Sequence, residues 1–317
     1  MGNKNFFQSQ QWQNFQKTLS GRKTGYIEKD GEKLYWTTIP TVFRHNYLYV
    51  NRGPVRSLKP FWPQLLDIAN RHRCLYIKVE PPWEKNEPYK EELLKLGFKK
   101  TSLATQPDTT LLLDLTQSEH ELLKQMKPKG RYNIKIAKKH SVTYQVFTEK
   151  EKGSDKALQD FYKMLEETAK RDHFGIHDVE YYRNLLKTLS SQARLFLAYK
   201  NNTVVAGILA VFFDDTVTYY YGASANKSRE TMATYGLQWH VITTAKSEGY
   251  HVYDFLGIAP ENAGKNHPWQ GVTDFKKKLG GSVYSYAGTY HFILKPFLYF
   301  LLNVFKTLLQ AKKTFSR

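Results

Sequence analysis

Residues 194–224 read "RLFLAYKNNTVVAGILAVFFDDTVTYYYGAS". This stretch contains three runs rich in β-branched and aromatic residues, separated by "NNT" and "DDT", and Asn and Asp favour tight turns. The pattern therefore predicts three consecutive antiparallel strands joined by hairpins. After these strands, we predict a helix at 233–247 and then a strand, "HVYDFLG", at 251–257.

Two helical segments come before these strands. Residues 155–172 repeat apolar side chains at helical spacing, which predicts one buried face. The side chains on that face are Leu158, Phe161, Tyr162, Leu165 and Ala169. A second, shorter helix is predicted at 178–189.

The first half of the chain repeats this order of elements. A helical segment at 9–19 precedes two strand-like runs around Asp30-Gly31, which is a good hairpin turn. A helical segment near 61–72 and a strand-like run at 74–79 follow. The order of helix, three strands, helix and strand matches the GNAT type of acyltransferase fold, in which the acyl donor sits where two central strands separate.

These patterns predict the α+β class, with two tandem GNAT-like acyltransferase domains and a cleft between them. Domain 1 is predicted to span residues 1–108 and to be completed by a C-terminal helix, residues 290–317, that packs back on it. Domain 2 is predicted to span residues 109–289.

The charge of the chain indicates an anionic partner. There are 47 basic and 29 acidic residues, and the net charge is +18. Nucleic acid, an anionic membrane surface and a phosphorylated small molecule all fit this excess. Seven cations fall between Lys124 and Lys139, in a segment between the two halves that has no acidic residue from 122 to 148. A surface for an anionic partner and a solvated linker helix are both consistent with this segment.

Several other classes are disfavoured. The single cysteine, Cys74, cannot form an internal disulfide or a cysteine-based zinc site, which fits a reducing, cytoplasmic location. The histidine spacings are not those of a metal site, and Walker and Gly-x-Ser-x-Gly motifs are missing. The segment "SANKSRETMATYG", residues 224–236, lacks the glycine-rich turn that would hold coenzyme A. No cofactor and no metal are therefore expected.

The ends of the chain carry no long uninterrupted apolar run. The start, "MGNKNFFQSQQW", lacks the apolar core of a signal peptide. The C-terminal "FILKPFLYFLLNVFKTLL", residues 292–309, is interrupted by lysine, proline and asparagine, so a membrane span is not expected. A helix docked on the body of the protein is predicted, and an interfacial membrane helix is the alternative.

Several segments, in the same order along the chain, resemble the FemABX family of aminoacyl-tRNA-dependent transferases that build peptidoglycan bridges. They are "YVNRGPV" (49–55), "YIKVEPPW" (76–83), "ETAKRDHFG" (167–175), "YYYGAS" (219–224), "VYDFLGIAP" (252–260), "HPWQGVTDFKKKLGG" (267–281) and "YAGTYHFIL" (286–294). The resemblance implies two GNAT-like domains, an aminoacyl-tRNA donor, and a peptidoglycan precursor as acceptor, either lipid II or UDP-MurNAc-pentapeptide.

The resemblance also implies roles for single residues. The family's Phe-Lys pair falls on Phe275 and Lys276, where the lysine would stabilise charge near the aminoacyl ester during transfer. Attack of an amine on an ester creates an oxyanion, and a fixed cation lowers the barrier to it. In the basic segment, the tRNA contacts are predicted at Lys129, Arg131, Lys135 and Lys138.

The acceptor site implied by the resemblance includes Tyr221 on the central strand and the pair His177 and Tyr181. His177 stands where the family has an arginine. Gln16, with Lys17 beside it, stands where some members have a lysine that contacts the nucleotide. Both departures favour a lipid-linked acceptor, and with it a location on the inner face of the plasma membrane.

Two other functions are consistent with the same sequence patterns. One is N-acyl transfer from an activated donor other than tRNA. The other is a non-catalytic protein that binds RNA or an anionic membrane with its basic surface. The Phe275-Lys276 pair favours the enzyme, because a decayed transferase would have no reason to keep it.

Overall fold

The computed structural model describes residues 5–42, 44–85, 89–264 and 266–315, with side chains up to residue 308. The chain folds into two compact units. One consists of Met1–Asp108 together with Tyr286–Arg317, and the other of Thr109–Ser285. Residues 1–4 and 316–317, which the predicted domain ranges include, lie outside the described residues.

In the described part of the first unit, six strands form one sheet in the order β1-β2-β3-β4-β13-β5. The strands are β1 (Lys23–Lys29), β2 (Glu32–Pro40), β3 (Asn46–Asn51), β4 (Cys74–Glu80), β5 (Lys99–Thr101) and β13 (Thr289–Ile293). The helices are α1 (Gln10–Thr18), α2 (Trp62–Arg71), α3 (Tyr89–Lys95) and α10 (Pro296–Phe315).

The predicted hairpin of the first unit is confirmed. Strands β1 and β2 pair antiparallel from Lys23–Thr38 to Lys29–Glu32. Asp30 and Gly31 between them both have positive φ angles, of 50° and 77°. Two such residues are what a tight two-residue hairpin needs, and Asp and Gly adopt this conformation readily.

Helix α10 packs on the sheet of the first unit, as predicted. Leu302 is buried against Leu75 and Tyr76 of β4, and Leu298 and Tyr299 join the same cluster. The Tyr299 hydroxyl also lies 2.9 Å from Nδ1 of the buried His291 on β13. Within the described residues, no helix combines the length and the apolar character that crossing a membrane requires.

In the second unit, the described strands form a seven-stranded sheet in the order β12-β6-β11-β10-β9-β8-β7. The strands are β6 (Thr109–Asp114), β7 (Thr143–Phe147), β8 (Ala193–Lys200), β9 (Thr203–Phe213), β10 (Thr216–Ser224), β11 (Val252–Gly257) and β12 (Ser282–Ser285). The helices are α4 (Glu119–Gln125), α5 (Pro128–Lys139), α6 (Ser154–Asp172), α7 (Val179–Leu189), α8 (Ala233–Ser247) and α9 (Gln270–Lys277).

The three strands predicted from residues 194–224 are confirmed as β8, β9 and β10, paired antiparallel. Their turns use left-handed residues, with φ angles of 49° at Asn201, 59° at Asn202 and 54° at Asp214. On α6 the predicted face is buried at four positions, whereas Tyr162 is half-buried. Its hydroxyl donates to the carbonyl of His177, 3.2 Å away.

The basic segment is part of the second unit, so the alternative of a solvated linker helix is wrong. Gly130, Asn133 and Ala137 form a buried face of α5. A Cβ atom at Gly130 would lie 2.1 Å from the carbonyl oxygen of Lys278, so a glycine is needed where α5 meets the end of α9. The cations of α5 therefore belong to a packed helix that presents one face to solvent.

Candidate active site

The two central strands of the second unit separate part-way along their length. β10 and β11 pair in parallel from Thr216–Val252 to Thr218–Asp254. Beyond that point β10 continues beside β9 to Ser224, and β11 continues beside β6 to Gly257. The separation leaves an opening between the strands, the feature that the predicted fold uses for its acyl donor.

Lys276 reaches this opening from α9. Its side chain is 6% exposed. The ammonium Nζ donates to the carbonyl oxygen of Gly257 on β11 at 2.7 Å. It also lies 5.4 Å from the ring centroid of Tyr219 on β10. One lysine thus touches both strands where they part, and we call Lys276, Gly257, Tyr219 and Asp254 the lysine cluster.

Burial changes the ionisation of this lysine. Removal from water lowers the pKa of Lys276 to about 8, and the negative charge of Asp254 opposes that shift. Desolvation disfavours the charged form of an amine, and a nearby carboxylate favours it. The ammonium is therefore the main form at neutral pH, but it loses its proton within the range in which enzymes are commonly assayed.

Asp254 stabilises the conformation of the end of β11. Its Oδ1 accepts hydrogen bonds from the Leu256 amide at 2.7 Å and from the Thr110 hydroxyl on β6. Leu256 has a φ of 59°, a left-handed conformation that costs energy for a residue with a side chain. The pairing of β11 with β6 is irregular between Asp254 and Gly257. Asp254 thereby stabilises the irregular turn that precedes the Gly257 carbonyl.

Two residues that precede Lys276 anchor helix α9. The Thr273 hydroxyl accepts from the Ala259 amide at 2.8 Å and donates to the Trp269 carbonyl at 2.7 Å. The Phe275 ring packs edge-on against Tyr235 of α8, with centroids 4.9 Å apart. These contacts fix α9 to the core and so limit the positions available to the ammonium.

Three of the five predicted acceptor residues, Tyr221, Tyr181 and His177, come together as a second group, the tyrosine cluster. The Tyr221 hydroxyl donates to that of Tyr181 at 3.3 Å, and the Tyr221 ring lies 5.0 Å from that of Tyr182. The exposed His177 ring stacks on Tyr181 with centroids 3.8 Å apart. Burial raises the pKa of Tyr221 well above its usual value, so its hydroxyl stays protonated.

A bulge in β10 separates the two clusters. Tyr219 pairs with Ala210 and Tyr221 pairs with Leu209, so Tyr220 is an extra residue. Neighbouring residues of β9 point to opposite faces, and therefore so do Tyr219 and Tyr221. Regular alternation along a strand would place Tyr219 and Tyr221 on one face, and the bulge places them on opposite faces. The ring beside the ammonium is that of Tyr219, which sequence reasoning had not selected.

Gly222 makes room for Tyr219. A Cβ atom on Gly222 would lie 1.8 Å from the Tyr219 hydroxyl oxygen, so the tyrosine side chain runs along the strand over the glycine. A glycine inside a strand often marks a bulge or a close approach. The "YYYG" text therefore contained a signal for this arrangement.

Other cations near the tyrosine cluster are already engaged. Arg171 donates to the Ser224 carbonyl and to Asn226, and Arg183 is paired with Asp155 and Glu180. These contacts leave neither guanidinium as a simple substitute for the arginine that His177 replaces.

The remaining predicted residues have varied surroundings. In the first unit, Gln16 is buried and accepts a hydrogen bond from Arg22, while Lys17 is exposed. On α5, Lys129, Lys135 and Lys138 are exposed. Arg131 donates to the carbonyls of Lys124 and Met126 at the end of α4, so part of its guanidinium has a structural use.

A family model described as the FemAB family matches residues 94–204 and 198–307, about two thirds of the chain. The chain belongs to the FemAB family. A lipid II:glycine glycyltransferase of Staphylococcus haemolyticus strain JCSC1435 is 23% identical over 93% of this chain and 91% of its own. This FemAB protein is therefore of the predicted enzyme class, an aminoacyltransferase.

Two solved structures show the same fold. A crystal structure of FemX superposes with a TM-score of 0.83 over 94% of both chains, at 20% identity. A tandem GNAT protein from the clavulanic acid biosynthesis pathway superposes with a TM-score of 0.50 over 86% of this chain and 84% of its own, at 11% identity. The predicted tandem GNAT-like class is thereby confirmed for this FemAB protein.

Proposed function

We propose that this FemAB protein transfers an aminoacyl group from aminoacyl-tRNA to an amino group in the stem peptide of a peptidoglycan precursor. The glycyltransferase relative, which is named for lipid II, supports this acceptor class. In the reaction, the amine nitrogen bonds to the ester carbonyl carbon, and the bond from that carbon to the ribose oxygen breaks. The proton lost by the amine balances the one gained by the ribose oxygen.

The observation that carries the proposal is the placement of Lys276. Its buried ammonium points at the separation of β10 and β11, held by a 2.7 Å bond to the Gly257 carbonyl. The tetrahedral intermediate bears a negative oxygen, and a fixed cation in a site with little water stabilises it strongly. A lysine in free solvent would have to be reoriented and desolvated first.

The exposed face of α5 is the proposed tRNA surface. It carries Lys129, Lys135 and Lys138, and Tyr132 among them is 61% exposed. Cations that follow a phosphate backbone, together with an aromatic ring on which a base can stack, are the usual means of binding single-stranded nucleic acid. Tyr132 adds to the residues selected from the sequence.

This surface predicts a salt effect. Replacing Lys129, Lys135 and Lys138 together with glutamine should weaken tRNA binding and reduce the slope of log affinity against log salt by about 1 per lysine. Titrations of charged tRNA at four salt concentrations give the slope. A matched triple replacement of the exposed Lys150, Lys152 and Lys187 should leave it almost unchanged. If the wild type and both triple variants show equal slopes, α5 is not part of the tRNA surface.

The acceptor is proposed to be lipid-linked, with UDP-MurNAc-pentapeptide as the other candidate. A histidine is not the permanent cation that an arginine would be at this position, and the His177 ring is stacked on Tyr181. A permanent cation for a soluble diphosphate is thus lacking at that position. A lipid-linked acceptor places the enzyme in the cytoplasm at the inner face of the plasma membrane.

The pKa of Lys276 predicts the pH dependence of transfer. Because the ammonium is the proposed active form, and its pKa is lowered to about 8, kcat should fall about tenfold per pH unit above that value. A Lys276→Arg variant keeps its charge, so any activity it retains should not fall in this range. Single-turnover rates from pH 6.5 to 9.5 provide the comparison. If the wild-type rate rises through pH 8 relative to the variant, Lys276 acts as a base instead.

The experiment that tests the proposal as a whole is incubation with total charged tRNA and each of the two precursors, followed by mass measurement. The expected product is heavier by one amino-acid residue, and its formation is abolished by ribonuclease. Product formed with non-tRNA acyl donors and unaffected by ribonuclease would favour the alternative N-acyltransferase. Tight RNA binding without product from either precursor would favour the non-catalytic binder.

A further inference from the structure

Helix α10 has two apolar faces, and one of them is covered by the protein. The inner face, with Leu298 and Leu302, packs on β4 of the first unit. The outer face exposes five large apolar side chains: Phe297, Phe300, Val304, Phe305 and Leu308. Phe297 is 72% exposed and Phe300 is 61% exposed. Residues 297, 300, 304 and 308 follow helical spacing, so they form one continuous stripe.

This stripe is unusual for a surface helix. An amphipathic helix of a globular protein normally turns charged and polar residues to solvent. Contiguous exposed apolar side chains mark a site that contacts a membrane or another protein. Aromatic side chains dominate the start of the stripe, and such rings favour the boundary between lipid headgroups and acyl chains.

Cations lie at the end of the unit where α10 begins. Lys295 immediately precedes the helix, is exposed, and its Nζ lies 3.4 Å from Nε2 of His45. Arg44, next to His45, is exposed, as is Arg73, whose carbonyl accepts from the Asn46 amide. An apolar stripe that begins beside exposed cations is complementary to a bilayer that carries anionic lipids.

We infer that the outer face of α10 docks on an anionic membrane surface, with the helix lying in the plane of the interface. The apolar stripe enters the headgroup boundary, and the flanking cations contact lipid phosphates. At about 1.5 Å per residue, the stripe from Phe297 to Leu308 provides a contact about 17 Å long. This membrane-attachment surface goes beyond the proposed function. It rests on that function in one respect: a lipid-linked acceptor explains why the enzyme would bind a membrane.

The test uses the full-length protein and two kinds of vesicle. One contains equal amounts of phosphatidylglycerol and phosphatidylcholine, and the other contains phosphatidylcholine alone. The wild-type protein should co-sediment with the anionic vesicles and much less with the neutral ones. A Phe297→Ser/Phe300→Ser variant should bind the anionic vesicles at least tenfold more weakly. The cation variant Arg44→Gln/Arg73→Gln/Lys295→Gln should lose much of the preference for anionic lipid.

Matched controls separate this inference from the proposed function. A Leu94→Ser/Phe174→Ser variant, altered at two other exposed apolar residues, should bind vesicles like the wild type. The α10 variants should keep wild-type thermal unfolding and wild-type tRNA binding, since neither depends on the stripe. Absence of wild-type binding to anionic vesicles overturns the inference. So does a wild-type dimer that Phe297→Ser/Phe300→Ser converts to a monomer in sedimentation, because a second copy would then cover the stripe.

Discussion

A Lys276→Met variant is expected to lose at least about a hundredfold in kcat while its affinity for charged tRNA stays nearly unchanged. Methionine approximates the apolar stem of lysine, one atom shorter, and removes the ammonium that contacts the Gly257 carbonyl. Because the lost interaction acts mainly on the charge of the transition state, the rate should suffer far more than binding. Single-turnover transfer and equilibrium tRNA titration measure the two quantities separately.

The control for this variant is Lys277→Met, which removes the same charge from the next position of α9. Lys277 is half-buried, whereas it is the Lys276 ammonium that donates to the Gly257 carbonyl. Replacing Lys277 should change kcat by less than about tenfold, because a charge outside the reacting centre contributes little to stabilising the transition state. Full activity of Lys276→Met would exclude the ammonium from the mechanism. Equal losses in both variants would assign the effect to the charge of the helix as a whole.

A Glu80→Ala variant is expected to destabilise the first unit by about 3–5 kcal/mol, the usual cost of removing one partner of a buried ion pair. Glu80 and Lys78 are both buried on β4, and Lys78 Nζ lies 3.2 Å from a Glu80 carboxylate oxygen. The same carboxylate accepts from the amides of Thr105 and Gln106 and the hydroxyls of Tyr49 and Thr289. Alanine would leave these donors without their acceptor and the buried Lys78 ammonium without its counter-charge, although Lys78 would still donate to the Leu103 carbonyl.

Urea unfolding followed by tryptophan fluorescence measures this loss. Trp12, Trp36, Trp62 and Trp83 lie in the first unit, so most of the signal reports on it. Glu28→Ala is the matched control, because its pair with Lys33 at 3.6 Å is half exposed and such pairs contribute at most about 1 kcal/mol. Similar midpoints for Glu80→Ala and Glu28→Ala would show that the buried network adds little to stability.

Glu80 and Lys276 both lie in segments that resemble sequences of the family. The segments are "YIKVEPPW" and "TDFKKKLGG". We propose different roles for them, because Glu80 is surrounded by donors from its own unit whereas Lys276 lies where two strands separate. A motif indicates that a residue matters, but its contacts decide whether it serves stability or chemistry.

Much of the fold could be predicted from local chemistry. The hairpins depended on Asp30-Gly31, Asn201-Asn202 and Asp214, whose left-handed conformations are favourable for these residue types. The buried face of α6 followed from the helical spacing of Leu158, Phe161, Leu165 and Ala169. Such signals involve residues close in sequence, so they need no knowledge of distant partners.

Local patterns in the sequence predicted the order of helices and strands, and the resemblance predicted the family and the choice of Lys276, Tyr181 and Tyr221. The tertiary structure alone decided that Tyr219, not Tyr221, faces the ammonium, and that burial lowers the pKa of Lys276 to about 8. The physical reason is that strand register and desolvation depend on residues far away in the chain. A bulge arises from how β10 pairs with β9, and water is excluded from Lys276 by β10, β11 and α9 together.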